Sequence, residues 1–172
     1  HGHRGGAAGR IHYLHPLAVP RISDVPQFQH PAILLHGEKV VRFGMLEGDA
    51  VIEADWAVYD PQNTRDAKGF HENGSKAVHL ALVLNAHEAR QLVGSSDGDI
   101  GTTAAAVAKQ QCAEVVVVKM GAKGALVWTA SGVSRVPAYR SKRVWKIGSG
   151  DCFVAHFANA WMRERRSAIE AA

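Results

Sequence analysis

Hydrophobic and polar positions change their pattern twice along this chain. Residues 1–10 are glycine-rich without a hydrophobic period and read as an extended end, and Pro16, Pro20, Pro26 and Pro31 space a stretch that cannot sustain a helix. Two β-like runs, 32–35 and 39–43, flank His36-Gly37-Glu38 and predict a hairpin, with an extension through Val51-Ile52. From Trp56 the pattern becomes an alternation. Apolar runs at 56–59 and 81–84 predict strands, joined by a polar connection over 63–76, with helix expected near 77–80. Asn85 is placed to cap a helix over 86–93, which Gly94 stops. Alanine-rich 102–111 predicts the next helix, and the valine run of 114–119 predicts a strand buried on both faces of a parallel sheet. Residues 124–129 and 132–138 suggest a hairpin. Phe153, Phe157, Ala160 and Trp161 then recur at helical spacing within 152–163.

This β-α-β-α-β order implies a Rossmann-like layered α/β fold with a mostly parallel central sheet and ligands at the carboxyl ends of its strands. The change near residue 50 divides the chain into a Pro/Gly-rich segment with a small β-hairpin, 1–50, and an α/β core, 51–172.

Composition narrows the function classes. With 172 residues, 47% of them hydrophobic, and no long apolar run, the chain can bury a core and predicts neither a membrane span nor a signal peptide, which favours a cytoplasmic location. Cys112 and Cys152 stand far apart and are expected as reduced, partly buried thiols. A formal charge of +4 suits an anionic small ligand such as a nucleotide. It is spread too thinly for nucleic acid: the basic loop Arg140, Lys142, Arg143, Lys146 and the cluster Arg163, Arg165, Arg166 lack interleaved aromatics. His1, His3, His12 and His15 have no cysteine or carboxylate partner at zinc-like spacing. His156 and Trp161 are assigned to packing of the last helix.

Gly148-Ser149-Gly150-Asp151 carries the sharpest chemistry. A tight glycine turn opening an amphipathic helix lets backbone N–H groups approach an oxyanion where the helix dipole is positive. Asp151, beside that anion hole, is placed to accept a proton from a hydroxyl that attacks a phosphoryl group. Asn85 and Glu88, one helical turn apart, either hold the water shell of a magnesium ion or form an ordinary helix cap. Lys119 and the turn Gly121-Ala122-Lys123-Gly124 border nucleotide phosphates or form a plain hairpin turn. Asp60, before Pro61, touches substrate or only makes a turn.

Three stretches in this order resemble the ribokinase-like, or PfkB, family of carbohydrate kinases. Residues 136–138 with Lys146-Ile147-Gly148-Ser149-Gly150-Asp151-Cys152-Phe153-Val154-Ala155 resemble the family's C-terminal signature, Asn85-Ala86-His87-Glu88 its N-x-x-E motif, and 115–125 its strand and G-x-x-G turn beside the nucleotide. The resemblance implies a ribokinase-like fold, ATP with Mg2+, and transfer of the γ-phosphoryl to a hydroxyl of a sugar or nucleoside. It makes Asp151 the base, with amides of Gly148, Ser149 and Gly150 stabilising the phosphoryl, Lys119, Gly121 and Gly124 at the nucleotide, and Asn85 and Glu88 at the metal. Trp145 and Lys146 stand where the family has an aspartate and a threonine, and Ser149 replaces its common alanine. Members are considerably longer, so the chain is expected to be a partial member, incomplete at both ends. A noncatalytic nucleotide- or sugar-binding module derived from a kinase core is the alternative. An exposed hairpin edge could pair with a second copy to give a homodimer.

Overall fold

The computed structural model describes residues 10–15, 21–23, 31–44, 48–62, 67–95, 98–140 and 147–172. Alternating and continuous apolar runs pair into one six-stranded sheet of order β3-β4-β5-β6-β7-β8. Strands β3 (Ile33–Phe43), β4 (Ala50–Asp60), β5 (Lys76–Asn85) and β6 (Val115–Lys119) are parallel, with Val40 opposite Ala57, Ala57 opposite Leu80 and Leu82 opposite Val116. β7 (Ala125–Thr129) and β8 (Gly132–Val136) add as an antiparallel hairpin. At the N-terminal end β1 (Arg10–His12) and β2 (Arg21–Ser23) pair antiparallel as a separate two-stranded unit. The mostly parallel α/β sheet and a small N-terminal hairpin are therefore both present. The hairpin is not where the pattern placed it.

Residues 33–43 form a single strand. His36 and Gly37 continue the parallel pairing opposite Glu53 and Ala54, and Gly37 does not take the positive φ that a tight hairpin turn demands. Residues 77–80, expected as helix, lie inside β5, where Ala77, His79 and Leu80 pair with Ala54, Trp56 and Ala57. Pairing along β4 overrides the local preference.

Helices cover both faces of the sheet. α1 (Ala86–Val93) runs between an Asn85 cap and Gly94 in the left-handed conformation, and α2 (Ile100–Gln111) is capped by Asp99, which accepts from the Gly101 and Thr102 amides. Their buried residues Ala89, Leu92, Ala104 and Val107 meet Leu80, Leu82, Leu84 and Val116. On the other face Val154 and Phe157 of α3 (Ser149–Ala158) pack with Val58, Ala81, Val83 and Val117. Successive β5 residues thus feed opposite layers, as expected of a strand buried on both sides. A π-helical turn (Asn159–Arg163) extends α3 and buries Trp161 against Trp56, before a short helix α4 (Ala168–Ala171). His156, assigned to packing, is exposed instead, because the helix turns it away from the face that buries Phe157. Cys112 and Cys152 are exposed rather than partly buried.

Arg42 clasps the crossovers. Its buried guanidinium donates to Asp49 (2.8 Å), Ser75 Oγ and the Phe70 carbonyl, and lies 4.8 Å from the centroid of the Tyr59 ring. Burial pushes the Tyr59 phenol up to about 12.

Gly124, after the 3-10 turn Gly121–Lys123, holds φ 82°, and a Cβ there would lie 2.0 Å from the Val136 carbonyl oxygen. Gly124→Ala is expected to cost on the order of 3 kcal/mol, read as a lower urea midpoint with an unchanged slope. A variant as stable as the parent would contradict this packing.

Candidate active site

Parallel strands that end together place their last side chains on one rim, and here β4, β5 and β6 end in Asp60, Asn85 and Lys119. Asn85 stands opposite Lys119 in register. Asp60 is fully buried, and the Lys119 ammonium donates to its Oδ2 at 2.6 Å. Burial pushes the Asp60 carboxyl above its ordinary range, against the opposing pull of the Lys119 charge and hydrogen bond. Glu88 is also buried. Its carboxyl is raised by burial, countered by the hydrogen bond from the Asn85 amide and raised further by the charge of Asp60.

Asn85 and Glu88 form a complete capping box. Asn85 Oδ1 accepts from the His87 and Glu88 amides at 2.9 Å each, and Glu88 Oε2 accepts from the Asn85 amide at 2.8 Å. The cap is real, and it leaves one carboxylate oxygen of Glu88 outside the box. Among the described residues no group of three or more His, Cys, Asp or Glu is arranged to hold a metal ion directly. Asn85 and Glu88 are the residues that could hold a hard cation through its water shell.

The second wall is the start of α3. Gly148 takes φ 76°, a conformation that a side chain would strain, and its carbonyl accepts from the Cys152 amide as the helix begins. A Cβ on Gly150 would lie 3.7 Å from Lys119 Nζ, so the ammonium sits against the glycine turn. Asp151, exposed in the first turn, accepts from Gln62 Nε2 through Oδ1 at 2.6 Å. The Gln62 backbone N–H donates to Asp60 Oδ1 at 3.2 Å. A continuous polar chain therefore runs Lys119, Asp60, Gln62, Asp151.

Among the expected site residues the structure sets Lys119 against Gly150 and joins Asp151 to the same strand ends through Gln62, with Asn85 at the end of β5 and Glu88 in the first turn of α1. Gly121 and Gly124 lie in the turn that leaves β6. Arg140 is exposed, and Lys142, Arg143, Trp145 and Lys146 lie outside the described residues, as do His1, His3, Pro16, Pro20 and Pro26. Gln62 was not anticipated. Its only signal was its place two residues after a strand-end aspartate.

Residues 56–172 match the profile of the pfkB family carbohydrate kinases. The chain belongs to the pfkB family. Similar folds include a ribokinase from Thermotoga maritima (21% identity, TM-score 0.55, covering 71% of this chain and 38% of that one). A ribokinase from Arabidopsis thaliana, solved with ribose and ATP, gives 22%, 0.54, 67% and 37%. An aminoimidazole riboside kinase from Salmonella enterica, solved with aminoimidazole riboside and an ATP analogue, gives 22%, 0.51, 67% and 41%. These likenesses show the fold, and this pfkB-family chain spans well under half the length of each. A comparison with curated proteins returned no match. Among the described residues no helix is long and apolar enough to cross a membrane.

The Asp60–Lys119 pair makes a pH-dependent prediction. Because the folded state holds Asp60 above its ordinary range, the stability linked to this group declines as pH rises from about 4 through its raised folded value. Lys119→Met would hold the carboxyl higher still. At neutral pH it is expected to cost about 3 kcal/mol or more, since a buried charge loses its partner, and clearly less near pH 4, where Asp60 can protonate. Urea unfolding at both pH values measures this; a loss independent of pH would contradict it.

Proposed function

We propose that the chain carries the phosphoryl-transfer centre of an ATP-dependent carbohydrate kinase, which moves the γ-phosphoryl to a hydroxyl of a sugar or nucleoside. The observation that supports it most is the Lys119 ammonium set against the glycine-opened helix start at Gly150, with Asp151 of that same helix turn tied to the strand ends through Gln62. The acceptor hydroxyl loses its proton to Asp151 as its oxygen forms a bond to the γ-phosphorus. The bond from that phosphorus to the bridging oxygen of ADP breaks, so the products are a phosphorylated acceptor and ADP. Backbone amides of Gly148, Ser149 and Gly150 stabilise the charge on the transferring group, and the Lys119 ammonium adds to that field. Asn85 and Glu88 would hold magnesium through its water shell, where the ion would neutralise phosphate charge.

Two variants separate binding from chemistry. Gly150→Ala meets nothing closer than 3.7 Å and is expected to fold as the parent does, yet to bind a nonhydrolysable ATP analogue about tenfold or more weakly by calorimetry, because its methyl group narrows the approach of an anion. Asp151→Asn is expected to keep that binding and to lower turnover about 10²- to 10⁴-fold with ribose, fructose or adenosine as acceptor. Full turnover by Asp151→Asn would refute the assignment. Tight binding without turnover by the parent, on any acceptor, would favour a noncatalytic nucleotide-binding module.

A further inference from the structure

Gln62 stands outside every motif in the chain, yet it joins two parts of the site. It follows Asp60 and the buried Pro61 at the end of β4, and its backbone takes φ 32°, a region that side chains rarely enter. Two hydrogen bonds frame this turn: the Gln62 backbone N–H donates to the buried Asp60 Oδ1 at 3.2 Å, and the Asp60 carbonyl accepts from the Gly44 amide at 2.8 Å. The strained backbone delivers the side chain across 89 residues of sequence, so that Nε2 donates to Asp151 Oδ1 at 2.6 Å. Unusual backbone conformations persist where the surroundings over-determine them, and they gather at functional sites.

We propose that Gln62 is the positioning residue of Asp151: its amide holds one carboxylate oxygen and so orients the other toward the phosphoryl acceptor. An amide suits the task. It donates to a carboxylate without adding charge, whereas a lysine would compete with Lys119 for Asp60 and a carboxylate would repel Asp151. The same strand end that buries Asp60 against Lys119 thereby aims the base, so the phosphate-side cation and the acceptor-side carboxylate keep a fixed relation. A carboxylate on an exposed first turn has free rotation about two bonds. Gln62 removes that freedom before substrate arrives.

The inference rests on Asp151 being the base, and the test keeps the two apart. In the full chain, with magnesium-ATP and whichever of ribose, fructose or adenosine the parent phosphorylates, Gln62→Ala is expected to lower kcat about tenfold to a hundredfold while the KM for ATP stays unchanged. Gln62→Glu should lose more than Gln62→Ala, through repulsion of Asp151. Gln62→Gly should melt above Gln62→Ala, because glycine takes a positive φ without a Cβ, and should still lose turnover; a purely structural residue would recover with stability. Parental kinetics in Gln62→Ala, or a Glu variant no worse than the Ala variant, overturns the proposal. If the parent turns over none of the three acceptors, the kinase reading fails, and urea unfolding of Gln62→Ala, Asp151→Ala and the double variant then decides. Costs that fail to add support the link between the two side chains, and strictly additive costs overturn it.

Discussion

The buried pair of Asp60 and Lys119 is the interaction on which the site depends. Asp60 ends β4 and Lys119 ends β6, so the bond crosses the end of β5, the strand between them. It can do so because β5 stops at Asn85, where the capping box turns the chain into α1. A carboxylate with no exposed surface is costly to bury, and the ammonium at 2.6 Å offsets that cost while remaining partly open to the site. The pair thus holds a positive charge at the sheet rim in a fixed place. It also draws Gln62 into line through the second oxygen of Asp60.

Helix layers on both faces set the remaining geometry. Leu80, Leu82 and Leu84 are anchored under α1 and α2, and Ala81 and Val83 under α3. Since Val154 and Phe157 fix α3 against that second face, the first turn of the same helix must lie over the strand ends, with Gly150 next to Lys119. Apolar packing places the backbone, and the polar chain from Lys119 to Asp151 sets the direction of the side chains. Neither would suffice alone. A glycine turn without the ammonium is a loop-to-helix junction, and an ion pair without the turn is a structural clasp like that of Arg42 with Asp49.

Much of the α/β core was legible because its signals are local. Asn85 with Glu88 and Gly94 bounded α1 on both sides, the valines of 115–118 marked a strand covered twice, and Gly148 through Asp151 announced a helix start. Local signals misled where pairing is distant. The short apolar runs around His36-Gly37-Glu38 fit a hairpin as well as a continuous strand, and parallel registration on β4 made the choice. The same pairing drew 77–80 into β5. His156 belongs to a helix whose buried face was identified, but alternation alone did not say how far that face extends. No local signal ties Asp60 to its partner, which lies 59 residues away, and none marks Gln62 as a partner of Asp151. Gly124 shows the converse: a glycine read beside the nucleotide has a sufficient packing reason in the Val136 carbonyl.

The proposed function requires a nucleotide phosphate in the space shared by Lys119 and the turn at Gly148 through Gly150. Amide-resolved NMR of the labelled chain, titrated with a nonhydrolysable ATP analogue and magnesium, tests it most directly. The Gly148, Gly150 and Lys119 amides are expected to shift together along one saturable curve while amides of the exposed strand β8 stay still. Saturable binding that leaves those three amides unmoved would contradict it.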